Sequence, residues 1–149
     1  MKLGKFATLF TTLLTRPSVA ADLSTPQSAL KALEAAFIAK DIEAAVTSKN
    51  FYYEARAMLV EVQGVAEPDP EVIVEIAKAL DLSFRKQMKE DGFPKFAGLK
   101  CRVLSTKQLA PGLVEMAEEI EFPDGHLSQE IVHAALSGEA WGIVVLPSK

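Results

Sequence analysis

The chain has 149 residues, of which 49% are hydrophobic and 24% charged, a composition that fits one globular domain with enough residues to bury a core. The formal net charge is −4, and no Lys or Arg occurs from residue 108 to residue 148. Because an acidic surface repels phosphate, nucleic acid is not an expected ligand. The single cysteine, Cys101, excludes an internal disulfide and a cysteine-based metal cluster, so no metal or other cofactor is predicted.

Residues 1–21 differ from the domain predicted for residues 22–149. Lys2 and Lys5 precede a short apolar stretch, and small residues precede a cleavage point after Ala20, as in a secretory signal. The stretch is far too short to span a membrane. The alternative is an amphipathic helix that stays attached and docks on the domain. Cleavage after Ala20 would place the protein in the periplasm or outside the cell, whereas retention of the segment would keep it in the cytoplasm.

The first half of the domain shows helical patterns. Thr25 is predicted to cap a first helix, with Pro26 at the first helical position, where its missing N–H costs nothing. A short second helix follows, and Phe51 begins a third. Asp69 is predicted to cap a long fourth helix, whose apolar side chains share one face. We therefore expect the helices of the N-terminal half to pack on the C-terminal part of the domain.

Residues 99–146 are predicted to form four strands joined by three tight turns. The turns contain the Pro, Asp and Gly residues that tight turns favour: Ala110-Pro111-Gly112, Pro123-Asp124-Gly125 and Ser137-Gly138. Loops this short make neighbouring strands antiparallel. The sequence therefore predicts an α+β fold, in which N-terminal helices pack on a four-stranded antiparallel meander.

Alternation along the first two strands predicts which side chains face the helices. In the first strand, Cys101 is expected to face inward as an inert core thiol and Thr106 to face away. In the second strand, Glu118 breaks the pattern because it points inward among apolar residues. Three other carboxylates share the opposite face: Glu115, Glu119 and Glu121.

Those three carboxylates are the candidate partner-binding residues. Glu119 and Glu121 lie two residues apart on one strand, so their carboxylates stand about 7 Å from each other. Like charges at that spacing disfavour one another, and a cationic partner would relieve the cost. A basic protein is therefore the expected partner. The alternative is a solvated strand face that keeps the protein soluble.

No catalytic residues are predicted, because the chain has no Gly-rich phosphate loop, no HExxH motif and no nucleophile elbow. The candidates for a pocket are Glu118 and His133, a histidine in the third strand. The two would form an acid/base pair if they faced one cavity. The alternative is structural: a packed histidine and a carboxylate at the edge of the sheet.

Several stretches carry a resemblance to a known superfamily. Residues 24–45 are similar to the first helix pair of the nuclear transport factor 2-like (cystatin-like) cone superfamily, and Trp141-Gly142-Ile143-Val144 to its closing strand. More narrowly, residues 51–59 and 82–94 resemble bacterial NTF2-fold immunity proteins. The resemblance implies a curved sheet and a protein that binds and neutralises a cognate toxin. It carries no catalytic residue to this chain.

Three functions remain open at this stage. The interpretation favoured is a non-enzymatic protein-binding domain, an immunity protein of a toxin–antitoxin pair that uses its acidic sheet face. The second is a small-molecule-binding pocket protein of the polyketide-cyclase or isomerase type. The third is an exported domain of another role, which depends on residues 1–21 alone. The oligomeric state, monomer or dimer, stays open as well.

Overall fold

The computed structural model describes residues 22–148, and the predicted leader or docking segment, residues 1–21, lies outside them. The helices of the described range are α1 (Pro26–Ala39), α2 (Ile42–Thr47), α3 (Phe51–Ala57) and α4 (Pro70–Asp91), and a π-helical turn, Met58–Val62, continues α3. The strands are β1 (Lys100–Ala110), β2 (Leu113–Glu121), β3 (Leu127–Ser137) and β4 (Ala140–Val144). They form one antiparallel sheet in the order β1-β2-β3-β4. The predicted α+β class, helices followed by a four-stranded antiparallel meander, is confirmed.

Helix α1 begins at a reciprocal cap that satisfies two backbone donors. The Thr25 hydroxyl accepts a hydrogen bond from the backbone N–H of Ser28, and the Ser28 hydroxyl accepts one from the N–H of Thr25, both at 3.0 Å. Pro26 occupies the first helical position, as predicted. Lys40 ends the helix in the left-handed conformation, with φ of 56°, which turns the chain sharply into α2.

The hydrophobic core lies between α1 and one face of the sheet. Its buried members include residues of α1, β2, β3 and β4: Ala29, Leu30, Leu33, Ala36, Phe37, Val114, Met116, Ala134 and Ile143. We call the sheet face that carries these residues the inner face and the opposite one the outer face. Helix α4 packs chiefly on α3, where the rings of Phe84 and Phe51 lie 5.6 Å apart.

Strand β1 corrects one prediction of side-chain direction. Thr106 lies on the inner face, opposite Met116, and its hydroxyl accepts a hydrogen bond of 2.9 Å from the Gln27 amide of α1. The cause is a register shift between Val103 and Ser105, where β1 gains one residue relative to β2. An extra residue in one strand reverses the alternation beyond it. Simple counting from Cys101 therefore assigns Thr106 to the wrong face.

The free edge of β4 is covered by the segment that joins α2 to α3. The N–H of Ile143 donates to the Ser48 carbonyl at 2.8 Å, and the N–H of Asn50 donates to the Ile143 carbonyl at 3.1 Å. The Asn50 amide also donates to the Ser137 hydroxyl at 2.8 Å. Gly142 makes this approach possible, because a Cβ atom there would stand 2.9 Å from the backbone nitrogen of Asn50.

Candidate functional site

The predicted acidic residues lie together on the outer face of β2, and each faces a basic residue. The register places Lys107 opposite Glu115, Arg102 opposite Glu119 and Lys100 opposite Glu121. Arg102 Nε donates to Glu119 Oε1 at 3.0 Å. Cross-strand pairs of opposite charge are mildly stabilising. The repulsion within the carboxylate row is therefore offset in part by β1 of the same chain.

His133 contacts this row and not Glu118. Its Nε2 lies 3.3 Å from Glu115 Oε2, and the two residues stand directly opposite each other across β2 and β3. Residues paired in this way share a face, so His133 is on the outer face. Glu118 is on the inner face and only 3% exposed. Glu118 follows Glu115 by three positions on an alternating strand, so the two side chains lie on opposite faces. The two candidate pocket residues, His133 and Glu118, therefore do not share a cavity.

Two large apolar side chains extend the outer face along β3. Leu127 pairs with Glu121 in the register and Ile131 with Ala117, which places both on the same face as the carboxylate row. They are 57% and 58% exposed, respectively. The outer face thus presents basic residues of β1, the carboxylate row of β2 and, beside it, two exposed apolar side chains of β3.

A second cluster lies on the inner face and brings together three distant parts of the chain. Glu34 of α1, Cys101 of β1 and Glu118 of β2 each offer a ligand atom, and all three atoms lie within 4.8 Å of one another. Glu34 reaches the cluster because it follows Leu30 by four residues and precedes Phe37 by three, which puts it on the buried side of α1. Cys101 faces inward opposite the buried Ile120, as predicted.

Burial governs the electrostatics of this cluster. Loss of hydration, followed by the hydrogen bond and charge of Glu118, raises the pKa of Glu34 to about 9, and the charge of Lys31 opposes this only weakly. Burial and the same two carboxyl groups raise the pKa of the Cys101 thiol to about 11. Among the described residues, no group donates a hydrogen bond to the buried Oε2 of Glu34. Without a cation, Glu34 is therefore protonated at neutral pH and shares its proton with Glu118.

Glu34 is the member of this cluster that sequence reasoning missed. A signal was present, since Glu34 occupies the apolar stripe of α1 between Leu30 and Phe37, where an unpaired carboxylate is out of place. The sheet carries a similar signal, because Glu118 is a carboxylate at an inward position of β2. What the pattern does not show is that these two residues, 84 positions apart, meet.

Comparisons with known proteins identified no relative of this chain. A scan against protein-family models, a search of curated proteins and a search of solved structures each returned no match to this chain. Within residues 22–148, the helices are too short or too polar to cross a membrane.

Proposed function

We propose that this chain is a non-enzymatic protein-binding domain that binds a basic protein through the outer face of its sheet. The observation that supports the proposal is the composition of that face. The carboxylate row of β2 lies beside Leu127 and Ile131 of β3, which are more than half exposed. Protein interfaces combine apolar contacts, which provide affinity, with charges that orient the partner and speed its association.

The basic residues of β1 leave the carboxylate row available to a partner. The Arg102 side chain is 72% exposed and that of Glu119 is 17% exposed, so their ion pair lies at the protein surface, where such pairs contribute about 0–1 kcal/mol. A partner arginine can therefore replace Arg102 with little loss of ion-pair energy. Because a guanidinium binds a carboxylate through two parallel hydrogen bonds, arginine is the side chain that we expect opposite the row.

Among basic proteins, the superfamily resemblance favours a toxin as the partner. We propose that the sheet is the curved sheet of the NTF2-like cone, which is supported by two register shifts in β1. They lie between Val103 and Ser105 and between Gln108 and Ala110. Bulges of this kind bend a strand and increase its twist. An immunity protein of this class would hold its toxin against the outer face and block it without any reaction of its own.

The test begins with the genes that flank the gene of this chain. Each flanking gene product is expressed alone and together with the full-length protein, and growth and complex formation are measured. We expect one product to arrest growth alone, to be neutralised by this chain and to bind it. The triple variant Glu115→Gln/Glu119→Gln/Glu121→Gln should then associate more slowly and with a flatter dependence on salt, because it has lost electrostatic steering.

A charge-matched control distinguishes an effect of the outer face from an effect of the overall charge of the protein. Glu67, Glu130 and Glu139 are exposed and belong to other surfaces, so replacing all three with glutamine removes the same charge elsewhere. The control should associate nearly as fast as the unchanged protein. Equal rates for both triple variants would contradict the proposed face. The absence of any neutralised flanking product would contradict the immunity function.

A further inference from the structure

The proposed binding activity does not use the inner-face cluster. We propose that Glu34, Cys101 and Glu118 form a binding site for one thiophilic divalent cation, of which Zn²⁺ is the best fit. The three ligand atoms come from α1, β1 and β2 and converge within 4.8 Å of one another. The proposal revises the expectation, drawn from the presence of a single cysteine, that the chain holds no metal.

The spacing of the three atoms is close to that of a zinc site. Zn–S bonds of about 2.3 Å and Zn–O bonds of about 2.0–2.2 Å, arranged tetrahedrally, put neighbouring ligand atoms about 3.5 Å apart. A contraction of about 1 Å brings the cluster to that spacing, and rotations about the side-chain torsions of two glutamates can provide it.

A buried carboxyl oxygen without a hydrogen-bond partner independently points to a missing ligand. Glu118 is 3% exposed, and no group among residues 22–148 donates a hydrogen bond to it other than the carboxyl of Glu34. The Oε2 atom of Glu34 is buried and has no donor within the described range. Residues 1–21 contain no Cys, His, Asp or Glu that could complete the cluster. Buried polar atoms of this kind are costly unless something binds them.

A cation satisfies this cluster more fully than a shared proton does. One proton between Glu34 and Glu118 leaves the Cys101 sulfur facing two carboxyl groups and keeps the thiol protonated. A divalent cation replaces the shared carboxyl proton and the thiol proton, both of which leave to solvent, and it binds two carboxylates and a thiolate. A ligand set with sulfur favours Zn²⁺ over Mg²⁺ and Ca²⁺, which prefer oxygen alone. Three protein ligands leave the fourth tetrahedral position for water.

Cobalt provides a direct test, because a thiolate bound to Co²⁺ gives an intense charge-transfer absorption in the near ultraviolet. The full-length protein is freed of metal with a chelator and titrated with Co²⁺, then with Zn²⁺. We expect a charge-transfer band that saturates at one Co²⁺ per chain and that Zn²⁺, but not Mg²⁺, abolishes. Since Cys101 is the only cysteine, the band reports this site alone. Zn²⁺ should also raise the thermal midpoint of unfolding.

Variants show whether the carboxylates take part. Glu118→Gln keeps the shape of the side chain and should weaken Zn²⁺ binding by at least about 100-fold, since loss of an outer partner alone costs about 10–100-fold. Glu119→Gln, the neighbouring carboxylate on the outer face, is the matched control and should bind Zn²⁺ as the unchanged protein does. Cys101→Ser should lose the charge-transfer band while it still folds, as circular dichroism would show.

Three results would overturn the proposal. The first is the absence of a charge-transfer band from the folded, unchanged protein at saturating Co²⁺. The second is equal Zn²⁺ affinity in Glu118→Gln and Glu119→Gln. The third is a Zn²⁺-dependent rise in the thermal midpoint that survives in Cys101→Ser, which would assign the metal to surface groups such as His126 or His133.

Discussion

Glu34 of α1 and Glu118 of β2 face each other between the helix and the inner face of the sheet. Among the described residues, no Lys, Arg or His side chain donates a hydrogen bond to either carboxyl group. In metal-free protein the pair holds a proton, because the pKa of Glu34 is raised from 4.5 to about 9 by burial and by Glu118. The unfolded chain releases that proton above its ordinary pKa, whereas the folded chain keeps it.

The first prediction is that the free energy of unfolding falls as pH rises between 4.5 and about 9 in the presence of a chelator. The sign follows from linkage, since the folded state binds more protons than the unfolded state across this range. The stabilising contribution is complete below pH 4.5 and is lost progressively up to about 9. Urea unfolding at a series of pH values measures it.

Glu34→Gln is the control for this dependence, because an amide mimics the neutral acid and does not titrate. The variant should lose the slope that Glu34 contributes and be at least as stable as the unchanged protein at pH 8. Parallel stability curves for the two proteins would show that Glu34 titrates normally in the folded state.

The second prediction concerns the ion pair that anchors α3. Lys49 Nζ lies 2.7 Å from Glu54 Oε2, and the two side chains are only 7% and 10% exposed. The same Oε2 accepts a hydrogen bond of 2.9 Å from the N–H of Val145, just beyond β4. Lys49→Met leaves a buried carboxylate without its cation and should cost about 3–5 kcal/mol of stability.

A double variant identifies the cause of that loss. In the Lys49→Met background, Glu54→Gln removes the uncompensated charge and keeps an oxygen for the Val145 N–H, so part of the stability should return. Chemical denaturation of the four proteins gives the coupling energy. Additive losses would mean that the two charges do not depend on each other.

Local sequence signals predicted the turns and the alternation of β2, because both depend on residues close together in the chain. The turn residues Pro111 and Gly125 and the inward position of Glu118 belong to this group. The signals failed at Thr106, where one extra residue in β1 reverses the alternation and no residue type marks the position. They also could not show that Glu34 meets Glu118, since contacts at long separation depend on how α1 lies on the sheet.

The coverage of β4 is a further long-range feature without a local signal. Lys49 and Asn50 read as a linker between helices, yet they pair with the edge of the last strand. The one local indication is Gly142 inside a strand, where glycine often marks a close backbone approach. The partner in that approach cannot be identified from the strand itself.

The third prediction tests this approach. A Cβ atom at Gly142 would lie 2.8 Å from the carbonyl carbon of Lys49 and 2.9 Å from the nitrogen of Asn50, and both are backbone atoms that cannot rotate away. Gly142→Ala should therefore cost about 1–3 kcal/mol, as overpacking does. Ala140→Ser, an exposed position on the same strand, should change stability by no more than about 0.5 kcal/mol. Equal stabilities for the two variants would contradict the close packing.

The last prediction concerns the exposed apolar residues of the outer face. Leu127→Thr/Ile131→Thr keeps residues that favour strands but removes apolar area from a surface that is already exposed to water. The double variant should unfold within about 1 kcal/mol of the unchanged protein, because each substitution at a surface position changes stability by no more than about 0.5 kcal/mol. Its affinity for the basic partner should nevertheless fall, because the unchanged protein would bury this apolar area at the interface and the variant would not.

Ile143→Thr is the buried counterpart, since Ile143 is 6% exposed in the core beneath α1. It places a hydroxyl in a packed apolar site and should cost about 1–3 kcal/mol. Urea unfolding of the unchanged protein, the double variant and Ile143→Thr compares the stability cost at the outer face with the cost in the core. This comparison needs no identified partner. If the outer-face double variant lost as much stability as Ile143→Thr, the outer face would be covered within the protein itself and could not be the docking surface.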